Sequence, residues 1–305
     1  MRQMWVVLLV TGWLACGVPG TNADAIVVDG ALSDWVAGVD LTTGYDLTGS
    51  LEPTLLGATS WIEDSVGAGG YVGPGYGGQN FDVEAAYSMW SNMTFYGAFV
   101  TGFDKDGQQG WGGSGLYRTG DLFFDLNYVP GESSWDLAIA LSTHDDGGFV
   151  EGRVYMPTDP TDTEWYTKER PDLDYPDSRP GLLKNPENVE YVMGLFDVSY
   201  EYAEGHPKNE LGQEEVSYAS TDPDDYSPLD HNVYEVSLGG DYFLSLLSND
   251  STIRMHYTQE CGNDVFNLDQ DIIIPEPSLS LLALGAFLAG AFARFRKGKN
   301  DEQGT

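Results

Sequence analysis

Several stretches of this chain alternate apolar and polar side chains with a period of two, and that alternation commits them to strands. Phe196, Val198, Tyr200 and Tyr202 fall on one side, and Asp197, Ser199, Glu201 and Ala203 on the other. Successive strand residues point to opposite faces, so such a run has one face for a core and one for water. Leu137, Ile139 and Leu141 repeat the pattern, as do Ile253, Met255 and Tyr257 with Arg254, His256 and Thr258 opposite. The run from Thr94 to Val100 is apolar on both faces, which predicts a central strand covered on both sides. Aromatic residues make up 13% of the chain and suit half-buried, pleated surfaces. The expected fold class is all-β: an antiparallel β-sandwich with long Gly/Asp/Pro-rich loops. Leu244 to Leu247 reads as a short helix.

The loops are long. Residues 67–78 are glycine-rich without periodicity, and Gly110 to Gly115 continue that style. Residues 157–188 are rich in Pro and Asp and read as an irregular excursion; a third polar loop spans about Glu204 to Asp230. Loops of this length in a compact domain are functional or disordered. No clean internal repeat divides the chain, so residues 26–273 are expected to form one domain with insertions.

Both ends carry targeting patterns. Arg2 precedes an apolar run from Met4 to Ala15, and Ala23-Asp24-Ala25 fits the small-x-small rule for cleavage. Residues 1–25 therefore read as a secretory signal peptide cut after Ala25, since the apolar run falls short of the roughly 20 residues of a stable span. At the other end, Pro275-Glu276-Pro277 breaks regular structure and an apolar stretch covers residues 279–293. Arg294, Arg296, Lys297 and Lys299 follow at once. An excess of basic residues marks the cytoplasmic flank of a span, which leaves 300–305 as a cytoplasmic end and the body outside. The order of Pro-Glu-Pro, apolar helix and basic end over residues 274–299 resembles the PEP-CTERM sorting tail of bacterial envelope proteins. That resemblance implies processing near Pro275–Pro277 by an exosortase, after the secretion machinery has exported the chain. It also implies a producer of exopolysaccharide, and residence on the cell envelope or in the extracellular matrix.

The charge balance excludes some partners. The chain has 14 basic and 48 acidic residues and a formal charge of −34. Five of its basic residues (Arg2, Arg294, Arg296, Lys297 and Lys299) lie in the two ends, so the body is more one-sided still. Such a charge opposes nucleic acid and anionic membrane surfaces. It supplies oxygen ligands for hard cations such as calcium, although a solvated acidic surface is the plainer explanation. Only Cys261 remains after signal cleavage, which excludes an intrachain disulfide in the mature body.

The body opens with Ile26-Val27-Val28-Asp29-Gly30-Ala31-Leu32-Ser33-Asp34-Trp35, read as an edge strand, a turn at Asp29-Gly30, and an indole capping the core. Phe81-Asp82-Val83-Glu84-Ala85-Ala86-Tyr87 then leads to Thr94-Phe95-Tyr96-Gly97-Ala98-Phe99-Val100-Thr101-Gly102, and further to Gly120-Asp121-Leu122-Phe123-Phe124-Asp125. Over about residues 26–142 this resembles family 9 carbohydrate-binding modules and their DOMON-like relatives, which implies a β-sandwich and leaves the ligand open. Met255 to Asp264 resembles a closing strand and Cys-Gly-Asn-Asp turn of exosortase-sorted surface proteins; a structural turn is the plain reading of it.

Candidate chemistry is sparse. His144, His206, His231 and His256 sit in no motif with known mechanics. His144 precedes Asp145-Asp146-Gly147-Gly148, a hairpin loop. Asp104-Lys105-Asp106-Gly107 has the opening spacing of a calcium loop, so calcium at Asp104 and Asp106 is the candidate metal, but Gly115 stands where the loop needs its closing Glu. Trp61, Trp90, Trp111, Trp135 and Trp165 are candidates for a sugar platform. Trp111 and Trp165, in polar or glycine-rich surroundings, are the candidate exposed rings for carbohydrate binding. The function expected is a non-catalytic polysaccharide-binding or matrix module without cofactor. A purely structural acidic envelope protein and a carbohydrate-active enzyme are the alternatives.

Overall fold

The computed structural model describes residues 26–36, 52–62, 81, 83–103, 105–109, 116–131, 134–144, 147–159, 161, 163–166, 181–192, 194–207, 230–260, 262 and 264–274. The expected signal peptide (1–25), the expected sorting tail beyond Ile274, and the glycine-rich stretches 67–78 and 110–115 lie outside these residues. Among the described residues no helix is long and apolar enough to cross a membrane.

The architecture is two antiparallel sheets packed face to face. Five strands form one sheet in the order β1 (Thr59–Ile62), β2 (Val83–Ser91), β3 (Thr94–Thr101), β11 (Asp230–Gly239), β10 (Asp197–Pro207). Six form the other in the order β13 (Val265–Asp271), β12 (Thr252–Thr258), β6 (Leu122–Asp125), β7 (Leu137–Ile139), β8 (Val154–Pro157), β9 (Val189–Tyr191). A two-residue pair, β4 (Gln108–Gln109) and β5 (Leu116–Tyr117), stands apart. The short helix α1 spans Asp241–Leu246, three residues earlier in its start than the sequence suggests, because Gly240 at φ +91° turns the chain directly out of β11. Strands β10 and β11 also extend into the stretch expected to be a polar loop from Glu204 to Asp230. Their pairing continues to Pro207↔Asp230, past an irregularity between Ala203 and His206.

The alternation seen in the sequence builds the core. Phe95, Phe99, Tyr234 and Val236 from one sheet meet Phe124, Ile139, Met255, Tyr257 and Phe266 from the other. Phe99 stacks on Tyr234 at 4.6 Å and meets Tyr257 at 4.6 Å across the interface. Gly97 is small for a reason: a Cβ there would lie 2.7 Å from the Met255 sulfur, so the thioether occupies the place a side chain would take. β2 and β3 join through Asn92 and Met93, at φ +50° and +62°, the left-handed pair that a two-residue hairpin requires.

Strand β3 is covered on its second face as well. Ala98 and Val100, with Tyr87 and Val233, pack under Ile26, Leu32, Trp35 and Val36. The expected edge strand at Ile26–Asp29 is absent. Its backbone N–H groups go to carboxylates instead: Val27 donates to Asp34 (2.8 Å), and Asp29 and Gly30 donate to Glu235 (2.9 and 2.7 Å). Leu32–Asp34 form a 3₁₀ turn, and the fully buried Trp35 donates its indole N–H to the other Glu235 oxygen at 2.8 Å. Glu235 on β11 thus ties the N-terminal segment to the sheet.

The outer face of the six-stranded sheet is covered in the same way by the described parts of the 157–188 excursion. Trp165, Tyr166 and Leu183 pack on Phe123, Ala138 and Tyr155. Asp121, fully buried, accepts the N–H groups of Leu141 (3.0 Å) and Leu183 (2.7 Å) and lies 2.9 Å from His144 Nε2. His144 closes the expected hairpin by bridging to Phe149, with Gly147 at φ +86° in its turn. A third buried carboxylate, Asp264, accepts from Val83 N at 2.6 Å and so joins the turn after β12 to the start of β2.

Burial raises the Glu235 carboxyl from its ordinary value to about 7, against the lowering effect of its three donors. Between pH 4.5 and 7 the folded chain therefore holds a proton that the unfolded chain has released, so stability falls as pH rises through that window. Glu235→Gln removes this titration. The stability of the native chain relative to this variant should decline by up to about 3 kcal/mol from pH 4.5 to pH 8, as measured by urea unfolding at each pH.

Candidate functional site

A groove opens where the chain crosses from one sheet to the other. β9 is the last strand of the six-stranded sheet and β10 the last of the five-stranded one, and residues 192–196 pass between them. The turn is set by Gly194 at φ +72°, with Val192 N bonded to Val154 O at 3.2 Å. On the facing side, the return from the His144 hairpin brings in Glu151, Gly152 and Arg153 ahead of β8, with Gly152 N bonded to Ala140 O at 2.8 Å. The resulting cavity is about 420 Å³. Val154, Val192, Phe196 and Val198 contribute apolar lining, and Glu151, Arg153, Tyr191 and Tyr200 supply polar and aromatic groups. The accessible lining is more polar than apolar, which sets this groove apart from the predominantly apolar form of most small-molecule pockets.

The polar groups are positioned by one another. Tyr191 is 40% exposed, and the Arg153 guanidinium lies 4.6 Å from its ring centroid. The Tyr200 hydroxyl is within reach of the Leu141 carbonyl (3.2 Å) and Glu151 Oε1 (3.3 Å). Lys105 donates to the same Glu151 oxygen at 3.4 Å. Gly152, at φ +74°, lets Tyr200 approach: a Cβ there would stand 3.0 Å from its ring. The groove therefore presents a half-exposed Tyr191 ring with the Arg153 guanidinium over one face, and a carboxylate whose charge Lys105 offsets.

The sequence-derived candidates are placed elsewhere. Trp165 is corrected outright: it is 1% exposed and packs 5.7 Å from Phe123 and 5.3 Å from Tyr166. Its polar sequence neighbours face outward while the indole turns onto the sheet, so it offers no ring to a sugar. Trp111 and Asp104 lie outside the described residues, as do Ala23, Ala25, Pro275, Glu276, Pro277, Arg294, Arg296 and Lys297. Asp106 is exposed in the turn after β3, and among the described residues no group of three or more His, Cys, Asp or Glu side chains is placed to hold a metal. Trp61 and Trp90 are half-buried against Phe266 and Phe243. Trp135 is half-buried on the outer face of the six-stranded sheet, 5.1 Å from His256. Beside it Asp125 is pushed up to about 6, first by burial and then by Asp136. Arg254 there is held bidentately by Asp269 at 2.6 and 2.8 Å.

Sequence reasoning missed Glu151, Arg153 and Tyr191. Glu151 and Arg153 are separated from Tyr191 by the whole 157–188 excursion, and each sits in an unremarkable local pattern. Only Tyr200 was marked, as part of an alternating strand. Compared with family models, with curated proteins and with solved structures, the chain matches none.

Tyr200→Phe deletes the hydroxyl that links Leu141 and Glu151. It should cost about 1 kcal/mol of stability, the net value of one such hydrogen bond, as a lower urea midpoint at unchanged slope.

Proposed function

We propose that this chain is an exported, exosortase-sorted bacterial surface or matrix protein whose body is a non-catalytic polysaccharide-binding module, with the β9–β10 groove as its binding site. The observation that carries the binding reading is the half-exposed Tyr191 ring set beside convergent polar groups in an open cavity. Sugar rings present apolar C–H faces and a rim of hydroxyls. An aromatic ring flanked by a guanidinium, a carboxylate and a phenol complements both. The localisation reading is supported by the paired terminal signals. On this reading the body lies outside the cell, and the apolar stretch 279–293 serves as a temporary membrane anchor before processing.

Affinity electrophoresis through gels holding different polysaccharides tests the site. The native chain should be retarded by at least one polymer, and Tyr191→Ala should weaken that interaction about tenfold, the effect of losing one aromatic contact. Retardation that Tyr191→Ala leaves unchanged would remove the groove from the reading. The formal charge of −34 favours a second reading, a structural acidic envelope protein. That reading predicts no retardation by any uncharged polymer. Release of reducing ends from a polymer would instead point to a carbohydrate-active enzyme.

Mass spectrometry of the native protein tests the sorting. The mature C-terminus should fall near Pro275–Pro277. Recovery of the peptide from Arg294 to Thr305 on the mature protein would rule the processing out.

A further inference from the structure

Acidic residues outnumber basic ones 48 to 14 in this chain, so a basic side chain would be expected to find a carboxylate close by. Lys105 reaches Glu151 at 3.4 Å, Lys184 reaches Glu164 at 3.9 Å, and Arg254 is clamped by Asp269. Arg153 departs from this. It is exposed, its guanidinium lies over the Tyr191 ring, and among the described residues no carboxylate stands within ion-pair distance of it. Glu151, two residues away in the same groove, is turned instead to Lys105 and Tyr200. Among the residues that line the groove Arg153 is the one cation and Glu151 the one anion, and Glu151 is already engaged by Lys105 from outside the lining.

We infer that the groove selects polysaccharides bearing carboxylate groups, with Arg153 as the residue that reads the uronate. The inference rests on the polysaccharide-binding reading above. Guanidinium matches a carboxylate with two parallel hydrogen bonds, a geometry that a lysine or a neutral hydroxyl pair does not reproduce. The Tyr191 face holds the guanidinium by a cation–π contact without consuming its N–H donors. The chain's overall negative charge does not forbid this. At physiological ionic strength charges beyond about 8 Å are screened, so the ligand's carboxylate responds chiefly to Arg153 and the offset Lys105–Glu151 pair.

The test uses the full chain with two forms of one polymer, polygalacturonate and its fully methyl-esterified derivative, at 0.15 M salt with a calcium chelator present. The native chain should bind the free acid at least about tenfold more tightly than the ester, the value of one charge-assisted pair. Arg153→Ala should bring the two affinities to near parity, the affinity for the free acid falling by much more than the affinity for the ester. Arg153→Lys, which keeps the charge and loses the fork, should retain only part of the preference. Both variants alter an exposed side chain, and unchanged thermal melting verifies their fold. Equal binding of acid and ester by the native chain would overturn this inference and leave the polysaccharide reading standing. So would a preference that survives Arg153→Ala, or acid binding that needs calcium. Failure to bind either polymer would overturn this inference as well, and the polysaccharide reading would then stand or fall on the electrophoresis against other polymers.

Discussion

Strand β3 has no face that tolerates water, and the rest of the fold is arranged around that constraint. Phe95 and Phe99 on one side need the six-stranded sheet; Ala98 and Val100 on the other need the segment from Ile26 to Val36. A two-sheet sandwich satisfies only the first requirement. The second is met by a piece of irregular chain, which has backbone N–H groups to satisfy and no neighbouring strand to satisfy them. Glu235 resolves this by accepting from Asp29, Gly30 and the Trp35 indole at once. A carboxylate out of water is tolerable only with donors around it, and irregular backbone near a core is tolerable only with acceptors, so each makes the other possible.

The same solution recurs. Asp121 accepts Leu141 and Leu183 N–H groups and so docks the return of the 157–188 excursion, and Asp264 accepts from Val83. A chain this acidic invites the view that its carboxylates are all solvated. These three are buried, and their work is to hold segments that are remote in sequence. Their placement also explains where the groove is left. Both outer sheet faces are partly occupied by these covers, while the crossing from β9 to β10 stays open at the sandwich edge. There Tyr191, Arg153, Tyr200 and Glu151 meet around a cavity.

Much of the sheet architecture was legible in the residues. Period-two runs at 137–141, 196–202 and 253–257 became strands, and the doubly apolar run at 94–100 became a central one. The reading failed where a side chain's surroundings in sequence differ from its surroundings in space. Trp165 lies among polar residues yet is buried on the sheet. Ile26–Asp29 looks like a strand, but its donors are taken by carboxylates rather than by a neighbour. The groove was invisible for the same reason: residues 151–153 and 191–200 meet only after a long excursion folds back over β6 and β7.

The sequence by itself determined the fold class, because strand periodicity is a local property of side-chain spacing, and it is the whole basis of the proposed address, because such signals are linear patterns. Only the tertiary structure decided which of many carboxylates are buried, that Trp165 is withdrawn from solvent, and that Arg153 has no carboxylate within ion-pair distance among the described residues. Burial and charge pairing depend on what the rest of the chain brings within a few ångströms of a side chain, and nothing in the local order of residues records that.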